Sequence, residues 1–437
     1  MDICIYGSKK NWDISLTIPG DKSIGHRSLI IGCIPKGKYK IENFSFSKDC
    51  LTTLEIVKKL GVVVSEKSID NKRILYVDSP GYANFNKEIG TVNCNNSGTT
   101  IRLISGLLCG ANIKARLIGD DSLQNRPMKR VIDPLIRMNG SIESKNGKLP
   151  LLINKNAGLN GIEYNMTVPS AQVKSSVLIA GFLASKKTVV TEFHKTRNHT
   201  EKLFKYLGAS INIDDNRISI ENSNIESKDI FVPGDPSSAA FLIGATILSE
   251  KSKMKLNNVL LNEGRLKYVD ILKRMGANIS INRTGILNEE LIGDIYVESS
   301  NLNGITVKSD EIPNIIDEIP ILSVLAAFAK GNTLFENVEE LKYKECDRVE
   351  AIIKNLQNMG IESTIDAKYN LKIKPIDNII EKNIEINSYN DHRIALAFLV
   401  ASIKNNDKTI IKNYECTDIS FPKSLNYFKD VLKIEKM

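Results

Sequence analysis

Aromatic residues make up only 6% of the 437 positions, with one tryptophan, and there are only four histidines. No uninterrupted apolar run reaches the roughly 18 residues of a membrane-spanning helix, which argues against a membrane partner. The opening "MDICIYGSKK" lacks the basic-then-apolar layout of a secretory leader, so the expected location is cytoplasmic. Cysteine is sparse and scattered: Cys4, Cys33, Cys50, Cys94, Cys109, Cys346 and Cys416 are odd in number and form no C-x-x-C pair. That pattern argues against a disulfide framework or a zinc site and implies reduced thiols and no metal. His194 and His199 lack the i, i+4 spacing of a helical metal pair and read as structural. Walker, dinucleotide-binding, nucleophile-elbow and zinc-protease motifs are all missing. The net charge of +8 comes without a basic tail or an aromatic-interleaved basic block, so no nucleic-acid partner is expected. A cleft for small anions fits better.

What the chain does contain is repetition. "IPGDKSIGHRSLIIG" begins at Ile18 and "VPGDPSSAAFLIG" at Val232, and between and beyond them stand "NCNNSGTTIRLISGLLCGA", "VPSAQVKSSVLIAGFLAS", "IPNIIDEIPILSVLAAFAKG" and "YNDHRIALAFLVASI". Each is a turn-rich opening running into a helix of small and aliphatic residues, spaced about 65 to 80 residues apart, the length of a βαβ-containing unit. The pattern after each reads strand, second helix, strand, strand. Glycine is expected to end five of the second helices, in "KKLGVVV", "IRMNGSIE", "KYLGASIN", "KRMGANIS" and "QNMGIEST", and the sixth closes the chain as "YFKDVLKI". The two Pro-Gly-Asp openings divide six units into two threes. The reading is an α/β (α+β) protein with one domain over 20–234 and another over 1–19 plus 235–437. Hinge crossings fall near 19–21 and 233–236, where proline and glycine suit a sharp, unpaired backbone. The first helices carry little charge, as buried helices do, and the second carry a Lys/Glu face.

The polar chemistry sits at the helix openings. Lys22, Ser23 and Arg27 lie within a turn of one another where free N–H groups and the helix dipole favour phosphate. Gly98 lets backbone approach a ligand, with Arg102 one turn on. Arg126 precedes Pro127 at a helix start. "VPSAQVKSS" offers Ser170 and Gln172, and "HKTRNHTEK" offers Thr196 and Arg197. Carboxylates come from the other half: Asp317 and Glu318 at the mouth of an apolar helix, and Asp391 beside His392 and Arg393 before another. Lys344, Glu345 and Arg348 are spaced to share one helical face. Bases at helix mouths with Asp and Glu available suit a substrate with at least two anionic groups undergoing proton transfer rather than metal-led chemistry.

In order along nearly the whole chain, "PGDKSIGHRSL", "NSGTTIRL", "GDDSLQNRPM", "PSAQVKSSVLIAG", "GDPSSAAF", "DEIPIL", "KECDRV" and "NDHRIALAF" resemble the 5-enolpyruvylshikimate-3-phosphate synthases. The resemblance implies an inside-out α/β barrel in each of two domains, three βαβαββ repeats apiece, helices inside and sheets outside. It implies transfer of the enolpyruvyl group of phosphoenolpyruvate to the 5-hydroxyl of shikimate-3-phosphate with release of phosphate, on the shikimate pathway to chorismate and aromatic amino acids. A monomer without cofactors, acting on these two small anions, is expected. Carried over by motif, Lys22, Ser23, Arg27, Ser170, Gln172, Thr196, Asp317 and Lys344 would hold shikimate-3-phosphate, placing that substrate's side with the 20–234 domain. Lys22, Gly98, Arg126, Gln172, Arg348 and Arg393 would hold phosphoenolpyruvate. Asp317 would take the hydroxyl proton, and Glu345, with Lys22, would handle the proton at the enolpyruvyl methylene.

The chain departs from the family pattern at Ala171, where some members have serine, at Glu340, where some have asparagine, and at Ile419, where some have a lysine. Gly98 matches the glycine associated with glyphosate binding, while Leu103 replaces the proline of the most sensitive members. Two rival readings are a UDP-N-acetylglucosamine 1-carboxyvinyltransferase and a non-catalytic phosphate-binding repeat protein. Against the first, Lys22 is followed by Ser23 rather than asparagine, and no cysteine lies between Cys109 and Cys346. Against the second, carboxylates aimed into an anion site weaken binding and are useful only for proton transfer.

Overall fold

The charge-poor stretches fold as six helices in the computed structural model: α1 (Lys22–Ile30), α2 (Gly98–Gly110), α3 (Ala171–Phe182), α4 (Pro236–Leu248), α5 (Ile319–Ala326) and α6 (His392–Ala401). The structure describes residues 1–6, 11–69, 72–376 and 380–437. Every residue of α4, α5 and α6 is buried. A helix without a solvated face needs neighbours on all sides. Among the described residues no helix is long and apolar enough to cross a membrane.

Two compact units result. One comprises Gly20–Pro233 with Ile286–Glu290, and the other Met1–Pro19, Gly234–Gly285 and Leu291–Met437. In the first, three four-stranded sheets share one order. The sheet led by Ile230–Phe231 continues through Lys36–Glu42, Lys72–Pro80 and Val63–Ile69. Its first pair is parallel and the rest antiparallel. The sheets led by Glu88–Asn93 and Glu163–Asn165 repeat that pattern. In the other unit, Thr306–Val307 and Ile384–Asn387 lead sheets of the same kind. In the sheets led by Glu88–Asn93, Glu163–Asn165, Thr306–Val307 and Ile384–Asn387 the parallel pair brackets the inner helix, as a βαβ crossover does. The repeat's last strand lies between its second and third, a place taken in the Ile384–Asn387 sheet by Ile3–Tyr6.

The Pro-Gly-Asp turns break this regularity. Asp13–Thr17, the strand before α1, pairs in parallel with Lys253–Leu260. Ile230–Phe231, the strand before α4, pairs with Lys36–Glu42. Each of these strands therefore belongs to the unit that its following helix leaves. Asp21 N donates to Pro233 O at 2.7 Å and Asp235 N to Pro19 O at 3.0 Å. A Cβ at Gly20 would stand 2.1 Å from Asn43 O, so only glycine fits that turn.

Three local expectations need correction. Gly61, Gly208, Gly276 and Gly360 take positive φ at helix ends, but at the fifth site Asn139 does so, with φ 72°. Gly140 serves a different need there, because a Cβ on it would meet Leu135 O at 2.7 Å. The "YFKDVLKI" helix stops at Phe428, and Lys433–Lys436 instead pairs with Ile3–Tyr6. Residues 286–290, at the end of the hairpin Ile279–Leu287 and Glu290–Glu298, group with the 20–233 unit rather than with 235–437.

Inner helices α2 and α3 meet backbone to backbone. A Cβ on Gly106 would lie 2.3 Å from Ser176 O, which no rotamer change can relieve. Gly106→Ala should therefore cost about 2–3 kcal/mol, read as a lowered urea midpoint, and an unchanged midpoint would mean that the two helices can separate freely. In the same unit His199 Nδ1 lies 2.7 Å from Glu290 Oε1, and Lys202 Nζ donates to Glu290 Oε2 at 2.8 Å. Burial raises the Glu290 carboxyl, but His199 and Lys202 outweigh it and hold its pKa below the ordinary 4.5. Its stabilisation is thus complete above pH 4.5 and lost as pH falls through the lowered folded value. Glu290→Gln should destabilise by about 3 kcal/mol at neutral pH. The deficit should shrink progressively in urea titrations run below pH 4.5, and a deficit constant with pH would rule out the charge as its source.

Candidate active site

In the 20–233 unit most of the candidate side chains hang on the N-termini of α1, α2 and α3. Asp21 caps α1 by accepting Ile24 N at 2.8 Å. Ser97 and Ser170 cap α2 and α3 through Thr100 N and Val173 N. These caps leave Lys22, Ser23, Gly98 and Gln172 in or beside first turns, where helix dipoles favour anions. Lys22 Nζ contacts Asp49 Oδ2 at 3.0 Å. Arg27 is 2% exposed and forked between elements. Its Nε donates to Thr200 Oγ1 and one Nη to Ser175 Oγ, both at 2.7 Å, while the other Nη reaches Ser23 O at 2.8 Å. Burial pushes its pKa down to about 10, with Glu201 and Asp21 opposing, so it stays charged at neutral pH.

A second basic group surrounds Gly98. Arg102 donates to Gln172 Oε1 at 2.5 Å, and Gln172 in turn donates to Thr99 Oγ1 at 2.9 Å. Burial, then the charges of Arg126 and Arg130, lower the Arg102 pKa to about 10. A Cβ at Gly98 would meet Arg102 Nη1 at 2.8 Å and Arg126 Nη1 at 3.0 Å. The glycine therefore leaves room between two guanidiniums. Arg126 is also held by Asn96 Oδ1 at 2.9 Å. It does not start a helix as expected: it caps the C-terminal end of Asp121–Asn125, and the next helix begins only at Lys129. Thr196 lies outside regular structure, with both its N–H and its hydroxyl on Glu192 Oε1.

The other unit assembles Asp317, Lys344, Glu345, Arg348 and Arg393. Arg348 is 1% exposed. Its Nε donates to Asp391 Oδ2 at 2.7 Å, one Nη meets Glu345 Oε2 at 2.6 Å, and the other lies 3.5 Å from Asp317 Oδ1. Burial works against its charge, yet Asp391, Glu345 and Asp317 together hold its pKa above the ordinary value. Arg393 donates to Asp317 O at 2.8 Å and lies 3.7 Å from Asp317 Oδ2. Glu318, which accepts Ser237 Oγ–H at 2.6 Å, has its pKa raised by burial against the pull of Arg393. Burial likewise lowers the pKa of Lys344, against Asp317. Lys344 and Glu345 do not share a helical face with Arg348. Asp347 accepts Glu350 N and caps the helix Arg348–Asn358, which places both before its start. Glu345 reaches the guanidinium from outside the helix.

Sequence reasoning misses Lys174, Glu192 and Glu201. The available signal for Lys174 is its position inside the apolar run "VKSSVLIAGF", where a buried ammonium needs carboxylates; its partners lie 18 and 27 residues away. Arg265 and Ser237, against Asp235 and Glu318, are likewise missed. Among the described residues no group of three His, Cys, Asp or Glu is placed to hold a metal ion.

Buried helix mouths carrying arginines in one unit and an Asp–Glu–Arg cluster in the other invite comparison with known proteins. The family described as EPSP synthase (3-phosphoshikimate 1-carboxyvinyltransferase) matches residues 8–428. A 3-phosphoshikimate 1-carboxyvinyltransferase of Clostridium tetani is 51% identical over 99% of this chain and 97% of its own. One from Petrotoga mobilis is 41% identical over 97% and 98%. The EPSP synthase structure from Acinetobacter baumannii superposes over the whole of both chains with TM-score 0.88 at 32% identity. The enolpyruvyl transferase NikO from Streptomyces tendae, at 14% identity and TM-score 0.76 over 99% of this chain and 98% of its own, shares the fold. With the family matching nearly end to end and the six-repeat fold in common, the chain belongs to the EPSP synthase family.

Proposed function

We propose that this chain transfers the enolpyruvyl group of phosphoenolpyruvate to the 5-hydroxyl of shikimate-3-phosphate. The observation that carries the reading is the pairing of two chemistries in one family fold: guanidiniums and helix N-termini in the 20–233 unit, and Asp317 and Glu345 against Arg348 in the other. Lys22, Ser23, Arg27, Ser170, Gln172 and Thr196 bind shikimate-3-phosphate, with Asp317 and Lys344 at its hydroxyls. Lys22, Gly98, Arg126, Gln172, Arg348 and Arg393 bind phosphoenolpyruvate. Arginine's planar fork suits both phosphate and carboxylate, and such charge-assisted bonds are about twice as strong as neutral ones.

Chemically, the step is an addition followed by an elimination. Asp317 takes the proton of the 5-hydroxyl as that oxygen bonds to C2 of phosphoenolpyruvate, and Glu345, with Lys22, delivers a proton to C3. Loss of phosphate from C2, carrying away the proton taken by Asp317, and return of a C3 proton to the ionised Glu345 then restore the enol ether, so atoms and charge balance. Both carboxylates lie beside Arg348, a charge that favours the ionised Asp317 that accepts a proton and the ionised Glu345 left once it has delivered one. Since one chain carries every group used, we take the active form to be a monomer acting on two small anions in the cytoplasm, without nucleic acid or membrane.

Phosphate release from phosphoenolpyruvate should occur with shikimate-3-phosphate and not with UDP-N-acetylglucosamine. Silence with both acceptors from folded protein would return the chain to a binding role. Asp317→Ala should lower turnover at least ~100-fold while shikimate-3-phosphate still binds, and near-native turnover would remove Asp317 from the chemistry. Arg27→Ala should weaken shikimate-3-phosphate by roughly 2–3 kcal/mol and phosphoenolpyruvate much less. Equal losses in calorimetric titrations would contradict the division of the two sets.

A further inference from the structure

We propose that Lys174 is a positioning residue for shikimate-3-phosphate, its buried ammonium fixing segment 192–197 on α3 so that Thr196 and Arg197 are presented to the substrate. The proposal rests on the function proposed above. Lys174 lies within apolar α3 with its side chain 1% exposed, and its Nζ sits 2.8 Å from Glu192 Oε2 and 2.6 Å from Glu201 Oε1. Glu192 stands just past the strand Thr188–Thr191, and Glu201 in the first turn of the helix His199–Leu207. One ammonium therefore fastens both ends of the segment that joins strand to helix.

The segment draws little on regular structure or apolar burial. Residues 192–198 form neither helix nor strand, and its one large apolar side chain, Phe193, is 60% exposed. The grip passes onward through Glu192: its Oε2 faces Lys174, while its Oε1 accepts the Thr196 N–H at 3.1 Å and the Thr196 hydroxyl. The neighbours of the same charges hold Arg27. Ser175 follows Lys174 and Thr200 precedes Glu201, and both hydroxyls accept from Arg27 at 2.7 Å. Glu201 also supports the Arg27 charge through space, whereas Arg197 opposes it, so Arg197 stands within electrostatic range of Arg27. Lys174 and Arg27 together balance Glu192 and Glu201. Removing the lysine would leave two buried carboxylates without the ammonium between them.

Stability alone does not account for such a group. Buried ion pairs are often matched or exceeded in stability by apolar residues of the same volume, and their better-supported use is to fix one arrangement among several. A support that holds binding groups within a fraction of an ångström has that character.

The test compares wild type, Lys174→Met, Glu192→Gln and the double variant. It measures shikimate-3-phosphate binding by calorimetry without phosphoenolpyruvate, the KM of each substrate, and folding by circular dichroism. Glu192→Gln keeps its volume and the oxygen that Thr196 uses but removes the charge that Lys174 grips. Each single variant should weaken shikimate-3-phosphate roughly 10-fold and leave the phosphoenolpyruvate KM within about 2-fold. The double variant should bind no worse than Lys174→Met, because both changes break one connection. Unchanged shikimate-3-phosphate affinity in a folded single variant, equal loss for both substrates, or additive losses would overturn the proposal. If Lys174→Met does not fold, Glu192→Gln decides by the same criterion. Failure of wild type to bind shikimate-3-phosphate would instead overturn the function proposed above.

Discussion

A guanidinium sealed from water must find its counter-charges inside the protein, and the arrangement around Arg348 stems from that requirement. Asp391, Glu345 and Asp317 approach it from three parts of the chain: the cap of α6, the turn before the helix Arg348–Asn358, and the residue before Glu318 at the mouth of α5. Two of these three are the carboxylates assigned to proton transfer. The interaction that makes a buried arginine tolerable also orients both carboxylates, so neither can be removed without leaving the guanidinium less compensated.

The fold makes such clusters possible because its inner helices are buried along their length and bring their N-termini to the functional groups. A buried helix leaves free N–H groups at its start that must be satisfied, and Asp21, Ser97, Ser170, Asp235 and Asp391 each cap one. In the 20–233 unit the residues beyond the caps are mainly bases and hydroxyls. In the other unit the same positions carry Ser237, Glu318 and Arg393, which bond to one another at 2.6 to 3.5 Å. One scaffold thus supplies an anion-attracting set and a largely self-neutralised set, and the side chains of the first helical turn decide between them.

Much of this was legible because burial leaves a compositional trace. Helices with no solvated face must be poor in charge, so six such stretches at regular spacing disclosed the repeat, and the charged residues at their openings marked most of the candidate site. The misreadings share a physical origin in competition between neighbouring signals. Asp347 can cap a helix or sit inside one, and its bond to Glu350 N starts the helix at Arg348. Asn139 and Gly140 can both adopt positive φ, and the close approach to Leu135 reserves the glycine for the other role. The terminal "KIEK" alternates well enough to be a strand, and Ile3–Tyr6 offers an open edge to pair with. Lys174 left only the trace of a charge inside an apolar run, and Glu192 and Glu201 left none, because their connection is made by tertiary packing.

The two units also differ in how their charges are compensated, and the difference bears on the order of events. Arg348 and Arg393 already face Asp317, Glu318, Glu345 and Asp391. Arg102, by contrast, is hydrogen-bonded to neutral oxygens of Gly98 and Gln172, with Arg126 and Arg130 adding like charge. Bringing a dianion to a cluster with its own carboxylates means displacing or protonating some of them, whereas the bases around Gly98 gain by accepting one. On the function proposed above, the first hold on an anion falls to the bases around Gly98. On that same function, the carboxylate-rich set supplies the base, since a charge that repels a free anion is also one that can accept a proton.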